Sequence, residues 1–169
     1  MENIPSPRVR TPSPSPDSAP VRELTPEPIG SHWVFSDPIR DLERRCVPFH
    51  IRGIRDSSDE SLHAYDGDPA WTVPMDLCES SPREGEVIVN VVRRRRRKQI
   101  SIHPRYLTPW VPVVGCEVVV VKGSSLLGVI GRTKERKGNN WVVTFVVDND
   151  SRDLEIEEKD LATVEALVP

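Results

Sequence analysis

Short stretches rich in β-branched residues occur twice in the same order between residues 47 and 162, and this repeat constrains the fold more than any other feature. EVVVVKG (117–123) aligns with VPFHIRG (47–53) at a shift of 70 positions, and WVVTFVV (141–147) aligns with EVIVNVV (86–92) at a shift of 55. LEIEEKDLA (154–162) aligns with ISIHPRYLT (100–108) at a shift of 54. Chance similarity among valine-rich stretches is the alternative. Because three separate stretches agree in spacing, we predict a duplicated β unit.

The shifts also predict where the two copies differ in length. The fall from 70 to 55 gives the first copy 15 extra residues, which we place in a serine- and aspartate-rich loop insertion at about 55–84. The fall from 55 to 54 predicts one residue of difference at a hairpin tip. The first two alignments equate Gly123 with Gly53, and Val142, Thr144 and Val146 with Val87, Val89 and Val91. A duplicated fold tolerates length differences of this kind when they are confined to loops.

The pattern predicts an all-β protein made of two small barrels. Helical periodicity of useful length is missing, whereas each copy contains several short strands separated by glycine-containing turns. Closing such a sheet into a barrel removes its exposed edges. A unit of this size is only marginally stable alone. We therefore expect the two units to pack together through LTPWVPVVG (107–115) and to bury Trp110 in a shared core.

Residues 1–30 have a different composition, in which proline recurs every few residues and aromatic residues are absent. Such a segment cannot bury enough apolar surface to offset the entropy of ordering, so we predict a disordered Pro/Ser-rich tail with polyproline II character. Five positions before proline are candidates for proline-directed phosphorylation: Ser6, Thr11, Ser13, Ser15 and Thr25. Each phosphate would add about −1.5 to −2 charges. An unmodified flexible linker is the alternative.

The remaining composition argues against several classes of function. Cys46, Cys78 and Cys116 are far apart and lack C-x-x-C spacing, which argues against a disulfide framework or zinc site and indicates a reducing compartment. The histidines are dispersed, and no side chain has the spacing of a nucleophile and its base. The chain shows neither a signal peptide nor a membrane-spanning apolar run. We expect an intracellular, soluble, non-enzymatic binding protein without metal or cofactor.

Six adjacent cations are the most prominent charge feature of the chain. They are Arg93, Arg94, Arg95, Arg96, Arg97 and Lys98. The repeat places them at a hairpin tip whose counterpart reads DNDSRD (148–153), and residues 148–160 carry seven acids against Arg152 and Lys159, a net charge of −5. Because like charges directly opposite in strands cost stability, we expect most of the basic run to form a solvated, protruding turn.

Clustered guanidinium groups of this kind predict contact with the phosphates of RNA or DNA. The same run matches a short nuclear localisation signal, so we predict a nuclear protein. A solvated loop without a partner and docking onto the acidic tip, which salt would weaken, are the alternatives. A second set of basic residues, expected on the loops after the first and second strands of the second copy, would extend the positive surface or be ordinary surface charge: Lys122, Arg132, Lys134, Arg136 and Lys137.

The second copy also carries a recognisable glycine pattern. Gly115 and Val118 form a Gly-x-x-Val opening, the next strand ends at Gly123, and Gly128 and Gly131 have Gly-x-x-Gly spacing. Residues 112–161 thereby resemble the KOW motif on an SH3-like barrel. This motif is found in NusG-type transcription elongation factors, in their eukaryotic counterpart in the DSIF complex, and in several ribosomal proteins. With its proline-rich tail and residues 31–53, the chain also resembles short fungal KOW proteins of the elongation-factor type.

The resemblance implies two tandem SH3-like, KOW-type modules, at 31–110 and 111–169, that bind nucleic acid or a transcription-elongation assembly such as RNA polymerase and its associated proteins. Leu127 departs from the pattern, because the family usually has lysine there, and the loop between Gly123 and Gly128 is one residue longer. We expect the glycines at 123, 128 and 131 to permit positive φ and close backbone approach.

Aromatic residues support a second hypothesis of a different class. Small barrels of the Tudor type bind methylated ligands in an aromatic cage through cation–π attraction. The candidates, which would otherwise form barrel cores, are Trp33, Trp71, Trp110, Trp141, Tyr65, Tyr106, Phe35, Phe49 and Phe145. The alternative function is therefore a protein-interaction adaptor that reads a peptide without direct nucleic-acid contact.

Overall fold

The computed structural model describes residues 32–40, 42, 44–123 and 125–167, so the tail expected at 1–30 lies outside the described residues. Strands predominate, which confirms the all-β prediction, and the one α-helix described, α1 (Asp37–Arg40), has a single turn. Short 3₁₀ helices span Trp33–Phe35, Ile54–Asp56, Glu60–Tyr65, Met75–Leu77, Pro104–Tyr106 and Glu158–Asp160. The strands are β1 (Arg45–Cys46), β2 (Pro48–Ile51), β3 (Pro69–Thr72), β4 (Val87–Arg93), β5 (Arg96–Ile102), β6 (Leu107–Pro109), β7 (Glu117–Val120), β8 (Ile130–Lys137), β9 (Asn140–Val147), β10 (Asp150–Glu157), β11 (Leu161–Thr163) and β12 (Glu165–Ala166).

Two five-stranded antiparallel sheets follow the same plan. The first has the strand order β5-β4-β3-β2-β6 and the second β10-β9-β8-β7-β11. In each sheet a 3₁₀ helix joins the fourth strand to the fifth, which returns to pair with the first. Within the described residues, no ladder joins the two outer strands of either sheet, so neither sheet is closed by hydrogen bonds. The strand β1 pairs with β12 in a separate two-stranded sheet that links the two halves.

The observed register corrects the sequence alignment by one residue. Arg93 pairs with Arg96 and Val147 pairs with Asp150, so equivalent residues in the two hairpins are 54 positions apart and not 55. Both tips are two-residue turns, and the expected length difference between them is wrong. Because side chains alternate between faces, a one-residue shift equates residues on opposite faces of the sheet. The predicted equivalence of Val142 with Val87 is therefore wrong. The same applies to the pairs Thr144 with Val89 and Val146 with Val91.

The observed pairing also moves the alignment of the first strand of each sheet by one residue. Ile51 pairs with Leu107 and Val120 pairs with Leu161, which sets these strands 69 positions apart and removes the equivalence of Gly53 and Gly123. The total of 15 extra residues in the first copy is unchanged. These residues do not form one loop insertion, because β3 lies between 55 and 84 and pairs with both β2 and β4. The connecting segments on either side of it are longer than those of the second copy and contain three of the 3₁₀ helices.

The larger of two apolar cores is shared between the sheets. This core contains Phe49 and Ile51 of the first sheet together with Val119 and Val121 of the second half. Val34 and Ile39 of the N-terminal segment also belong to it. The smaller core belongs to the second sheet alone and consists of Val118, Val120, Trp141, Val143, Phe145 and Leu161. Alternate valines of β7 therefore face different cores. Burial on both faces explains why this strand is a continuous apolar run and not an alternating one.

Two glycines of the second sheet are required by close packing. A Cβ on Gly128 would lie 2.4 Å from the Cβ of Pro38 in α1, and the φ of +81° at Gly128 also favours glycine. Gly115 and Gly123 likewise have positive φ, of +83° and +81°. Gly131 does not have the expected positive φ. Its role is close approach, because a Cβ there would lie 2.6 Å from Val143 Cγ1.

Candidate nucleic-acid interface

The β4–β5 hairpin carries the six-cation run, and all six side chains are exposed. Arg94 and Arg95 form the turn, with φ values of 50° and 64°. Positive φ at both central residues is characteristic of the type I′ turns that connect twisted strands. The other four cations lie in the strands, so the expectation that most of the run would form the turn is wrong.

Strand alternation divides the cations between the two faces of the hairpin. Arg93 lies opposite Arg96, and Val91 lies opposite Lys98, so these side chains share the face that continues into the core. Arg97 lies opposite Val92 and projects from the other face. The basic run is therefore two surfaces, one with most of the strand cations and one with Arg97.

The first surface lines an open depression of about 640 Å³. Its lining residues are Tyr65, Val91, Arg93, Arg94, Arg96 and Lys98. The half-buried ring of Tyr65 packs against the shared core, and its centroid lies 5.8 Å from Arg93 Cζ and 6.0 Å from Lys98 Nζ. Both distances are within the range of cation–π attraction. The depression thus combines an aromatic ring with four cationic side chains.

The segment that presents Tyr65 is held in place by local contacts. Tyr65 ends the 3₁₀ helix Glu60–Tyr65, whose Leu62 is buried in the shared core. Asp59 caps this helix by accepting a hydrogen bond from the Ser61 amide at 3.1 Å, and Arg83 pairs with Asp59 at 3.0 Å. The hydrogen bond from the Ser61 side chain, followed by that from Arg83, holds the pKa of Asp59 below its usual value. The segment between β2 and β3 thus holds Tyr65 in place beside the basic run through specific contacts.

Only one ion pair is formed by the cations of the depression within the described residues. Asp68 Oδ2 lies 3.9 Å from Arg93 Nε, and this buried oxygen has no hydrogen-bond partner among the described residues. Among the residues that the structure describes, no carboxylate lies within ion-pair distance of Arg94, Arg95, Arg96 or Lys98. The hairpin therefore keeps uncompensated positive charge next to Tyr65.

Part of the acidic charge on and next to the equivalent β9–β10 hairpin is paired with cations of neighbouring elements. Lys134 Nζ lies 2.7 Å from Asp153, Arg136 lies 3.0 Å from Glu158, and Lys159 lies 2.7 Å from Glu157. Hydrogen bonds from Lys134 and then Thr144 lower the pKa of Asp153. Among the described residues, Asp150, Asp153 and Glu157 of this hairpin thus have a cation within ion-pair distance, whereas Asp148 and Glu155 have none.

The second set of predicted basic residues is therefore arranged differently from expectation. Arg132, Lys134, Arg136 and Lys137 lie within β8 and not on loops. Besides the pairs of Lys134 and Arg136, Arg132 lies 3.9 Å from Glu117 and Lys137 lies 3.2 Å from Glu135. Lys122 follows β7 in the loop where the sequence placed it. The four strand cations do not continue the uncompensated surface of the first hairpin.

The four tryptophans do not meet in one cage. Trp141 is 3% exposed within the second core, and Trp33 stacks on Phe49 at 5.8 Å. Trp110 is half-buried, which corrects the expectation that it would be a core residue, and its ring lies 6.2 Å from that of Trp71. The Trp71 indole N–H donates to Glu165 Oε2 at 2.9 Å. Trp71 and Trp110 thus form a separate aromatic cluster on the first sheet.

A smaller apolar depression of about 210 Å³ adjoins Trp71, on the face of the hairpin that carries Arg97. Val92, Glu165 and Cys46 also line it. Burial, with a smaller effect of the Glu165 charge, raises the pKa of the Cys46 thiol to about 11. Because the thiolate is the reactive form, Cys46 is a poor nucleophile near neutral pH.

Several sequence predictions fall outside these sites. The five candidate phosphorylation positions lie outside the described residues. Among the residues that the structure describes, no cluster of three potential metal ligands occurs, and no helix has the length and apolarity to span a membrane. No known protein-family model matches the chain, and no curated protein is significantly similar to it.

Sequence reasoning did not connect Tyr65 or Asp68 to the basic run. Both residues precede β3, in the stretch assigned to a loop, and they reach the hairpin only because β3 pairs with β4. The sequence contains the signal for β3 in Ala70, Trp71 and Thr72, but the preceding Pro69 weakens the strand pattern.

Proposed function

We propose that this protein is a non-enzymatic nucleic-acid-binding protein that uses the β4–β5 hairpin to contact phosphates. The observation that carries the proposal is the set of uncompensated cations around Tyr65, among them Arg94, Arg96 and Lys98. Exposed guanidinium and ammonium groups contribute to affinity because their contacts with phosphates release the counterions of a nucleic-acid backbone. The paired cations of β8 gain less from such contact, because each already has a carboxylate neighbour.

The backbone of the tip supports the same function. Non-glycine residues in the left-handed region cost energy, and Asn or Asp tolerates it better than arginine does. The second hairpin has Asp148 and Asn149 at its tip, with φ values of 52° and 65°, whereas the first has Arg94 and Arg95 in the same geometry. Strained backbone of this kind concentrates at functional sites. Arginine at both positions is thus favoured by its charge and not by the turn.

The proposal includes two tandem SH3-like modules of the KOW type. The repeated strand order and the 3₁₀ helix before the last strand of each sheet support this assignment, as do the glycine positions of residues 112–161. Within this proposal the protein acts in the nucleus, on RNA or DNA or on a transcription-elongation assembly. A fluorescent fusion of the full chain should lose nuclear accumulation when Arg93 to Arg97 are changed to glutamine.

The binding proposal is tested by salt titration of the full chain with a short single-stranded RNA, monitored by fluorescence anisotropy. A variant with Arg94, Arg95, Arg96 and Lys98 changed to glutamine should bind more weakly. The slope of log affinity against log salt should fall by about 3, because each phosphate contact on a single strand contributes roughly 0.7.

The matched control changes Arg132, Lys134, Arg136 and Lys137 to glutamine. It removes the same charge from exposed strand positions whose cations are paired. Its salt slope should stay close to that of the wild type, and circular dichroism should show both variants folded. Equal losses in the two variants would mean that net charge alone drives binding. An unchanged slope in the hairpin variant would falsify the proposal.

The depression beside Trp71 favours a second candidate function, a peptide-binding adaptor. Trp71, the Glu165 carboxylate that accepts from its indole N–H, and Arg97 line this depression, and an aromatic ring beside a carboxylate is suited to a methylated or unmodified cationic side chain. Changing Trp71 to leucine should abolish capture of methyl-lysine or methyl-arginine peptides and leave RNA affinity unchanged. If no such peptide binds the wild-type protein, this candidate is excluded.

A further inference from the structure

We propose that the β4–β5 depression binds single-stranded nucleic acid, with one unstacked base lying on the ring of Tyr65 and the adjacent phosphates held by the surrounding cations. This inference rests on the proposed function and specifies its ligand. It also assigns Tyr65 a role in recognition that the basic run alone does not supply.

The composition of the depression favours a nucleotide over a bare phosphate. Tyr65 contributes an aromatic surface, Val91 an apolar wall, and Arg93, Arg96 and Lys98 the charges. A purely ionic site would require only the cations. Proteins that bind single strands combine a positively charged groove with aromatic rings on which bases stack.

The two cations nearest the ring are restrained to different degrees. Arg93 lies 3.9 Å from the buried Oδ2 of Asp68, which favours its position beside the ring. Lys98 has no carboxylate within ion-pair distance among the described residues, and its ammonium group lies 6.0 Å from the ring centroid. Lys98 can therefore exchange its contact with the ring for a contact with phosphate. Asp68 acts as a positioning residue for Arg93.

The ring distinguishes single strands from duplexes. In a duplex both faces of each base are covered by stacked neighbours, so an aromatic side chain can reach a base face only after the base leaves the stack. Phosphates are accessible in both forms. Charge should therefore contribute to the binding of either form, whereas Tyr65 should contribute only to single strands.

The experiment compares wild type, Tyr65→Leu and Tyr65→Phe on a single-stranded oligonucleotide and on a duplex of the same length. Tyr65→Leu should weaken single-strand binding by roughly 5- to 150-fold, the effect of losing one base–aromatic stack. Its affinity for the duplex should change by less than about twofold, because phosphate contacts dominate non-specific duplex binding. Tyr65→Phe keeps the ring and should resemble the wild type on both ligands.

A second measurement does not depend on any variant folding. The wild-type protein is irradiated with a single strand carrying 5-iodouracil, which crosslinks to aromatic side chains stacked on it, and the crosslinked peptide is identified by mass spectrometry. The crosslink should map to Tyr65. Crosslinks found only at other residues would overturn the inference. This test remains decisive even if thermal melting shows that Tyr65→Leu does not fold.

The remaining outcomes separate this inference from the proposed function. If Tyr65→Leu binds single strands normally while the four-cation hairpin variant does not, the function stands and the stacking inference is wrong. If Tyr65→Leu weakens both ligands equally, the ring only positions the cations, and the inference is again wrong. If the wild-type protein binds neither ligand, the proposed function itself fails.

Discussion

The β4–β5 and β9–β10 hairpins occupy the same place in two sheets of identical strand order, and both turn through two residues with positive φ. Their surfaces nevertheless differ. In the first, Arg93 is the one cation of the depression with a carboxylate within ion-pair distance among the described residues. In the second, Asp153 and Glu157 pair with nearby lysines. One backbone plan thus supports a surface whose cations are mostly unpaired among the described residues and a surface on which several charges are paired.

The interiors of the two sheets differ in a complementary way. Ala70 pairs with Val91 in the first sheet, and the equivalent pair in the second is Gly131 with Phe145. A smaller residue on one strand accompanies a larger one on its partner, so the volume of the pair is partly conserved. Packed interiors respond to the total volume of a contact and not to each residue separately.

The largest difference in stability is expected on substitution of Trp141, which occupies the position in the second sheet that Val87 occupies in the first. Trp141 is 3% exposed in the second core, and its indole N–H donates to Glu158 at 2.8 Å. Trp141→Ala should lower the free energy of unfolding by about 3–5 kcal/mol. Val87→Ala, at a half-buried site, should cost roughly 1 kcal/mol. Urea denaturation of both variants measures the difference, and equal losses would contradict the inference that burial differs between the two positions.

A smaller effect is expected from exchanging the paired residues. Gly131→Ala should destabilise the protein by roughly 1–3 kcal/mol, since the added methyl group overlaps Val143 and Phe145. Adding Phe145→Val reproduces the pair found in the first sheet. The double variant should lose less stability than the sum of the single losses, by at least about 0.5 kcal/mol, in a double-mutant cycle. Strict additivity would show that the two sites do not share a volume constraint.

Replacing the turn residues of the first hairpin should increase stability, in contrast to the two substitutions above. Arg94→Asn with Arg95→Gly introduces residues suited to positive φ and should stabilise the protein by about 1 kcal/mol. The same variant should weaken binding to single-stranded RNA. Placing arginine at the second tip, with Asp148→Arg and Asn149→Arg, should lower stability because arginine tolerates positive φ less well than Asp or Asn. Thermal denaturation and anisotropy measure the two properties, and a variant that gained both would contradict the inferred cost of the arginines.

The smallest effect concerns the acid limb of the stability curve. The pKa of Asp153 is lowered mainly by the hydrogen bond from Lys134. A carboxyl group whose pKa is lower in the folded state contributes stability above its unfolded pKa, and this contribution is lost as the pH falls through the folded pKa. Asp153→Asn should therefore reduce the loss of stability on acidification. Asp148→Asn removes the same charge from the same hairpin, and an equal effect there would indicate net charge as the cause.

The strand content was predictable from the sequence, but the register was not. Val142 and Val143 are both buried, and so are four consecutive valines from Val118 in β7 to Val121 directly after it, so neighbouring alignments match almost equally well. Two arginines at a turn also lack the usual asparagine–glycine signal. The charge imbalance of the hairpins could be found from composition. The pairing of Lys134 with Asp153 and the position of Tyr65 depend on contacts across the sheet that no local pattern encodes.

The double burial of β7 has a consequence for how the molecule denatures. Val119 and the following Val121 belong to the shared core, whereas Val118 and Val120 belong to that of the second sheet. The strand therefore cannot detach without exposing both interiors. The two halves should consequently melt together, in a single calorimetric transition, despite their repeated architecture. A fragment ending near residue 110 would lack part of its own interior and should not fold independently.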